Sequence, residues 1–177
     1  MVKQKSVTCE IVGNRVLCPG ISQLLGHFGK ATEAGLELAL VEALYLLKKR
    51  KISLTHRGKK LRFIQAYRLA CKLDERFVER YKVYEDLRER GYVVKTGLKY
   101  GCDFRVYERG VAPKRGPKSP KEHTKWIVFC VPEDYTCSFY ELARAVRLAH
   151  NIRARMLWAI VDGEGDITYY EVTRIVP

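Results

Sequence analysis

Apolar and polar residues alternate near the start of the chain, a pattern typical of strands with one buried face. In SVTCEIVGNRVLC the alternation lies on both sides of Gly13 and Asn14, and this pair predicts a tight β-hairpin. The next segment, PGISQLLGHFG, predicts a short helix that begins at Pro19 and Gly20.

Helical periodicity follows in LELALVEALYLLKKR, up to a run of cations that suits a helix C-terminus. The apolar positions that carry this pattern are Leu40, Val41, Leu44 and Leu47. ISLTHRGKKL then predicts a short strand and a basic turn. The segment from Arg62 to Gly91 predicts two or three helical pieces, and Gly91 suits the residue that ends the last of them.

Strand-like patterns dominate the rest of the chain. YVVKTGLKYGCDFRVY predicts strands that are broken at Gly97 and Gly101, and HTKWIVFCVPED predicts a strand that ends at Pro132. Ser138 and Glu141 form a capping box, which predicts that a helix begins there and continues through ELARAVRLAHNIR. MLWAIVD and DITYYEV, joined by the turn GEG, predict a final strand pair.

The elements taken together predict an α/β (α+β) protein of two domains. Residues 1–78 are expected to form a small α/β domain that is mostly helical with a small sheet. Residues 79–177 are expected to form strands around one central helix.

The charge of the chain changes this picture by suggesting a partner. The sequence has 33 Lys and Arg against 20 Asp and Glu, a formal net charge of +13. Such an excess favours nucleic acid or another polyanion as the ligand. No apolar run approaches the roughly 18 residues of a membrane span, and the N-terminus has no signal-peptide pattern. We therefore expect a cytoplasmic protein without a membrane partner.

Six cysteines are spread along the chain without any CxxC pair or zinc-ligand spacing. We therefore expect no metal and no cofactor. A disulfide framework is also not expected, because disulfides are rare in cytoplasmic proteins.

The most basic loop is RGVAPKRGPKSPKEHTK, which connects two predicted strands. Its prolines and glycines exclude regular structure. The loop is interpreted either as a solvated charged loop or as an arm along RNA phosphates, where each cation contributes by releasing counterions. The cations assigned to RNA here are Lys114, Arg115, Lys118 and Lys121.

His123, where this loop becomes a strand, is a candidate proton donor, although a lone histidine is more often structural. Tyr107 lies at the other end of the loop and matters only if the fold brings it near His123. A base, an acid and a cation together would suit attack of a ribose 2′-hydroxyl on the adjacent phosphorus without a metal.

Three segments resemble the C-terminal catalytic domain of the archaeal tRNA-splicing (tRNA-intron) endonucleases: LKYGCDFRVYERG, KEHTKWIVFCVPED and VRLAHNIRARMLWAIVDGEGDITYYEV. LVEALYLL and YEDLRERGYVVKTG extend the resemblance over most of the chain. It implies a restriction-nuclease-like α/β catalytic domain and metal-independent cleavage of precursor tRNA at bulge-helix-bulge structures. The products would carry 2′,3′-cyclic phosphate and 5′-hydroxyl ends.

The resemblance also assigns the site. It implies that Tyr107 is the general base, that His123 is the general acid, and that a transition-state-stabilising lysine belongs at position 154, which is Ala154 here. It implies further that Arg147 stacks on a bulge base. Arg153 is added to the RNA-binding set. The positions that it places at subunit interfaces are Asp162, Glu164, Asp166, Tyr169 and Tyr170.

Three explanations fit Ala154: an engineered inactivating substitution in a catalytic subunit, a natural noncatalytic paralogue, or replacement of the missing charge by Arg155. We favour the first, because Tyr107 and His123 are both retained. The third is weakest on geometry, since neighbouring residues of an extended segment point to opposite faces.

The resemblance implies a tetramer. The long Tyr107–His123 loop resembles the branch that assembles two by two with a second, smaller subunit, although a homotetramer stays open. The alternative from another functional class is a noncatalytic subunit that binds precursor tRNA without cutting it.

Overall fold

The computed structural model describes residues 7–20, 27–111, 113, 119 and 122–175. The chain divides between Val78 and Glu79 into two compact units, each of which is described by itself. The mixed α/β class expected from the sequence is confirmed. No helix among the described residues is both long and apolar enough to cross a membrane.

In its described residues, the N-terminal unit is a six-stranded sheet with two helices, so the prediction of a mostly helical domain with a small sheet is wrong. Its elements are β1 (Val7–Val12), β2 (Arg15–Pro19), β3 (Lys30–Thr32), β4 (Gly35–Ala39), α1 (Leu40–Lys48), β5 (Ile52–His56), β6 (Lys59–Leu61) and α2 (Phe63–Leu73). The strand order is β3-β4-β2-β1-β5-β6, and among the described strands only the β1–β5 pair is parallel. The hairpin predicted at Gly13 and Asn14 joins β1 to β2, with Gly13 at a φ of 58°.

The helix predicted for LELALVEALYLLKKR is correct only from Leu40 onward. The first residues form β4, where Leu36 and Leu38 are buried, because this short segment also has the period of two that suits a strand. The buried Glu42 closes the junction, since its carboxylate accepts hydrogen bonds from the backbone N–H groups of Gly29 (3.0 Å) and Ala39 (2.9 Å).

The short helix predicted for PGISQLLGHFG falls largely on residues 21–26, which lie outside the described residues. Pro19, where that helix was expected to begin, is instead the last residue of β2.

The expectation of no disulfide is wrong for one pair. Cys9 on β1 and Cys18 on β2 form a disulfide with a Cα–Cα distance of 4.3 Å. The register of the hairpin places Glu10 opposite Leu17 and therefore puts the two cysteines opposite each other. The cellular compartment alone does not predict this pair, because the bond follows from the register of the hairpin.

The C-terminal unit is a five-stranded sheet with two long helices. Its elements are α3 (Phe77–Glu89), which begins just before the boundary, β7 (Val93–Thr96), a 3₁₀ turn (Leu98–Tyr100), β8 (Phe104–Tyr107), β9 (Trp126–Pro132), α4 (Phe139–Asn151), β10 (Arg155–Val161) and β11 (Ile167–Val172). The order is β11-β10-β9-β8-β7, and only the β9–β10 pair is parallel. The crossover between β9 and β10 contains α4.

The two helices of this unit lie on opposite faces of the sheet. Ala145 and Ala149 of α4 pack with Ile127 and Met156 in one buried cluster. On the other face, Phe104 packs on Tyr84 of α3, with ring centroids 5.5 Å apart. Phe104 pairs with Val128 and lies on the same face of the sheet. Ile127 precedes Val128 on the strand, and consecutive strand residues face opposite ways, so Ile127 lies on the other face.

Local signals define one end of each long helix. Gly91 follows α3 at a φ of 88°, and its N–H donates to the carbonyl oxygen of Arg88 (2.9 Å). At the start of α4, the hydroxyl of Ser138 accepts from the N–H of Glu141 (3.2 Å), and the Glu141 carboxylate accepts from the N–H of Ser138 (2.8 Å). These reciprocal bonds confirm the capping box and hold the pKa of Glu141 below its usual range.

Candidate functional site

Tyr107, His123 and Ala154 lie at the same end of the C-terminal sheet. In the register, Val106 is opposite Trp126, and Trp126 is opposite Arg155. Because β8 runs antiparallel to β9, and β10 parallel to it, the end of β8 meets the starts of β9 and β10. Val106, Trp126 and Arg155 therefore form one row across the three strands. Tyr107 comes directly after Val106 in the sequence, Ala154 comes directly before Arg155, and His123 comes three residues before Trp126.

Tyr107 is the last residue of β8 and is 1% exposed. It pairs across the sheet with Val93 of β7. The guanidinium of Arg105, two residues earlier, lies 6.0 Å from the Tyr107 ring centroid. No local sequence pattern indicates this burial, because it depends on the pairing of β7 with β8.

His123 is half-buried and lies between a short turn and β9. The turn is closed by Glu122, whose N–H donates to the Ser119 carbonyl (2.9 Å) and whose carboxylate accepts from the Ser119 N–H (2.9 Å). Two residues after His123, the N–H of Lys125 donates to the carbonyl oxygen of Val106 (2.7 Å), which ties the segment to β8. The loop cations predicted to bind RNA lie outside the described residues: Lys114, Arg115, Lys118 and Lys121.

Ala154 lies between α4 and β10 and is half-buried. Its N–H donates to the carbonyl oxygen of Ala149 (2.9 Å), and its side chain packs on the cluster that contains Ala149 and Met156. Arg153, just before it, has a φ of 55°, in the left-handed region, and its side chain is exposed. This turn of the backbone places Ala154 beside the start of the strand.

Two cations near the row are paired with carboxylates. Nζ of Lys125 lies 2.7 Å from Oε2 of Glu108 and 4.2 Å from the Trp126 ring centroid. The hydrogen bond from Lys125 holds the pKa of Glu108 below its usual range. Arg155 lies 3.1 Å from Oε1 of Glu171.

Glu171 also accepts a hydrogen bond from Nε1 of Trp126 (2.8 Å). This carboxylate therefore links the edge strand to β9 and β10. Sequence reasoning missed the Trp126–Arg155–Glu171 group, which only the pairing of the strands could have indicated.

Arg147 lies on the exposed side of α4. Its Nε donates to the carbonyl oxygen of Ala143 one turn earlier, at 3.3 Å. The alanines on the opposite side of α4 pack on the sheet, so the guanidinium of Arg147 is directed away from the core.

The acidic turn between β10 and β11 is ordered by its own carboxylate. Oδ1 of Asp162 accepts hydrogen bonds from the N–H groups of Gly165 (2.7 Å) and Asp166 (2.8 Å). The N–H of Gly163 donates to Glu133 (2.9 Å). Glu164 and Asp166 remain exposed, so the turn presents two carboxylates to solvent.

The two tyrosines of β11 have different environments. The hydroxyl of Tyr169 donates to Oδ2 of Asp86 on α3 (2.7 Å), and burial raises the pKa of this phenol well above its usual range, with Asp86 adding to the shift. Tyr170 is 55% exposed. Because β11 is the edge of the sheet, Tyr170 is the member of this pair that is available to a partner.

Two family profiles match the chain. The profile described as "tRNA intron endonuclease, catalytic C-terminal domain" matches residues 77–169, and the one described as "tRNA intron endonuclease, N-terminal domain" matches residues 7–67. The chain belongs to the tRNA intron endonuclease family.

Proteins named "tRNA-splicing endonuclease" in archaea are similar to this family member over most of its length. The protein of Thermococcus gammatolerans is 43% identical over 146 residues, which cover 82% of this chain and 82% of the relative. That of Nanoarchaeum equitans is 44% identical over 137 residues, 77% and 88% of the two chains. That of Methanococcus maripaludis is 37% identical over 174 residues, 96% and 94%.

Proposed function

We propose that this chain is a subunit of a tRNA-splicing endonuclease that cleaves precursor tRNA at bulge-helix-bulge intron boundaries without a metal. Family membership over both domains supports the reaction class. The observation that carries the proposal is the meeting of Tyr107, His123 and position 154 at one end of the sheet, although far apart in sequence.

In the proposed reaction, Tyr107 acts as the phenolate, and its oxygen accepts the proton of a ribose 2′-hydroxyl as O2′ attacks the adjacent phosphorus, which leaves a neutral phenol. The O2′–P bond forms and the P–O5′ bond breaks, while His123 donates a proton to the departing O5′. The products are a 2′,3′-cyclic phosphate and a 5′-hydroxyl. Because Tyr107 is 1% exposed, the neighbouring side chains must shift when RNA binds.

Ala154 occupies the position where a cation would stabilise the negative charge on the phosphorane. A methyl group cannot do so, and we propose that cleavage by this chain is impaired. Arg155 does not replace the charge, since its guanidinium pairs with Glu171 on the edge strand. Retention of Tyr107 and His123 favours an inactivating substitution in a catalytic subunit.

The remaining site residues are assigned to binding. Arg147 and Arg153, both exposed, are proposed to contact RNA together with the cations of the basic loop: Lys114, Arg115, Lys118 and Lys121. The exposed carboxylates of the acidic turn and the β11 edge are proposed to contact other subunits of a tetramer. We propose a two-by-two assembly with a second, smaller subunit in the cytoplasm.

The experiment that tests the catalytic proposal is Ala154→Lys, with cleavage of a bulge-helix-bulge RNA measured in EDTA, alone and with a candidate partner subunit. We expect the single-turnover rate to rise by about 10²–10³-fold, the usual effect of one charge-stabilising group in a transition state. The matched control is Ala154→Gln, which adds a side chain of similar length without the charge.

His123→Ala in the lysine-containing chain should abolish the gain. No increase in rate for Ala154→Lys, with or without the partner, would contradict the catalytic assignment.

A second candidate function is a noncatalytic subunit that holds precursor tRNA. The packing of Ala154 favours this second function, because the methyl group of Ala154 contacts the apolar cluster that contains Ala145 and Ala149 of α4. In that case the unmodified chain should bind the RNA and stimulate a partner subunit, while Ala154→Lys should change neither property.

A further inference from the structure

The N-terminal unit contains a long segment with cations but no acids. Between Ala43 and Leu73 the chain has ten Lys and Arg and no Asp or Glu, which accounts for most of the net charge of +13. All ten side chains are exposed. We call them the basic surface: Lys48, Lys49, Arg50, Lys51, Arg57, Lys59, Lys60, Arg62, Arg68 and Lys72.

The elements that carry these residues are in contact with one another. The β5–β6 hairpin pairs along its length, α1 contacts both β5 and α2, and α2 contacts β6. Apart from Glu42 of α1, the described acids of this unit lie in other segments. Glu10 is on β1, Glu33 lies between β3 and β4, the half-buried Glu37 on β4 forms an ion pair with Arg15, and Asp74 and Glu75 come directly after α2. The cations are therefore grouped within the unit.

The tip of the hairpin presents its cations on a tight turn. Arg57 and Gly58 both have positive φ, 50° and 73°, as in the two-residue turns that match the twist of a hairpin. Lys59 and Lys60 follow on β6, opposite His56 and Thr55. Within the described part of the chain, none of these three cations has a carboxylate partner. Like charges placed so close together repel, and a polyanionic ligand would relieve the repulsion.

The aromatic rings near the basic surface are packed against other rings. Tyr45 stacks on Phe28 with centroids 6.0 Å apart, and Tyr67 lies 5.9 Å from Phe63 and 5.5 Å from Phe77. Recognition of unpaired bases relies on exposed rings that stack on them. The cations of the basic surface are exposed, whereas the rings near them pack against other rings. Such a surface is suited to bind phosphates and not unpaired bases.

We propose that the basic surface binds the phosphate backbone of paired RNA, independently of sequence. This inference rests on the proposed function, because precursor tRNA has a paired body that extends beyond the intron boundaries. The surface would add affinity through counterion release, while the C-terminal site would select where to cut.

The test measures how the full chain binds a fully paired RNA duplex of about 20 base pairs as salt is varied. The variant R57Q/K59Q/K60Q removes three cations of the hairpin. We expect the salt dependence of the binding constant to become shallower by about 2–3 log units per decade of salt, and affinity at low salt to fall at least tenfold. A second variant, R68Q/K72Q on α2, should give a smaller loss of the same kind.

The matched control, K30Q/K99Q/R174Q, removes three exposed cations that lie outside the basic surface. It should change the salt dependence much less. The melting temperature of each variant shows whether it is folded, and the α2 variant still tests the proposal if the hairpin variant is not. Equal effects of the hairpin variant and the control, or no effect of either surface variant, would overturn the proposal.

Binding to vesicles that contain phosphatidylserine is measured in parallel. If the surface variants lose vesicle binding but bind the duplex normally, the ligand is a membrane and the proposal is wrong. The duplex has no bulge and is not a cleavage substrate, so this result is independent of the cleavage assay. A chain that binds the duplex through the hairpin but gains no cleavage with Ala154→Lys would refute the proposed function alone.

Discussion

The four cysteines outside the disulfide differ sharply in their environment. Cys102 and Cys130 are buried, Cys71 is half-buried, and Cys137 is exposed just before α4. Burial raises the pKa of the Cys102 thiol to about 12, and the neighbouring Asp103 adds to the shift. Since the thiolate is the reactive form, Cys102 is protected in two ways: reagents cannot reach the buried thiol, and the thiol stays protonated.

We therefore expect a thiol reagent at pH 8 to modify Cys137 first and Cys102 only on unfolding. Raising the pH from 7 to 9 should leave Cys102 unmodified, because its pKa of about 12 lies well above that range. Peptide mass spectrometry measures the order, and Cys137→Ser should remove the fast phase. Modification of Cys102 in the folded chain as quickly as Cys137 would contradict the burial.

At the scale of the elements, the turn between β7 and β8 depends on one glycine. The N–H of Gly97 donates to the carbonyl oxygen of Asp103 (2.9 Å), and its carbonyl accepts from the N–H of Tyr100 (2.7 Å). A Cβ atom here would collide with Sγ of Cys102 and lie 2.7 Å from its carbonyl oxygen. The close approach leaves no room for a side chain.

We expect Gly97→Ala to lower the free energy of unfolding by about 1–3 kcal/mol, the usual cost of overpacking. The matched control is Gly163→Ala, where the added Cβ would lie 3.2 Å from the flexible end of Glu133, and the cost should stay within about 0.5 kcal/mol. Urea denaturation measures both. A loss for Gly97→Ala no larger than that of the control would show that the turn relaxes freely.

Elements with local signals could be predicted from the sequence. The turn at Gly13, the end of α3 at Gly91 and the capping box at Ser138 each depend on a few neighbouring residues. The parallel pairing of β1 with β5 could not be predicted, because it joins segments far apart in sequence. The disulfide between Cys9 and Cys18 was missed although the hairpin was predicted.

The candidate site was predictable in its residues but not in its environment. The resemblance to the family identified Tyr107, His123 and Ala154, and these assignments stay predictions. The burial of Tyr107 depends on strand pairing. The hydrogen bond from Tyr169 to Asp86 depends on how α3 packs on the sheet, which no local sequence pattern shows.

At the scale of the whole molecule, stability should depend on redox conditions. The disulfide joins residues nine apart in sequence, and closing a loop of this size constrains the unfolded chain by about 2–3 kcal/mol in the chain-entropy description. A reductant should therefore lower the melting temperature. Disulfides do occur inside cells of hyperthermophilic archaea, so the bond is compatible with a cytoplasmic site.

The double variant C9S/C18S provides the control for this prediction. It should melt at the temperature of the reduced chain and show no response to reductant in differential scanning calorimetry. If reductant leaves the melting temperature of the unmodified chain unchanged, the bond does not contribute to stability in solution.

The meeting of three strand ends has a consequence for how such a protein can diverge. Tyr107 and Ala154 are fixed by the register of β8, β9 and β10, while residues 108–123 lie in the sequence between β8 and β9. Residues can be inserted into or lost from this segment without changing the register. Divergence in this part of the sequence can therefore change the proposed RNA contacts while the register at the strand ends is kept.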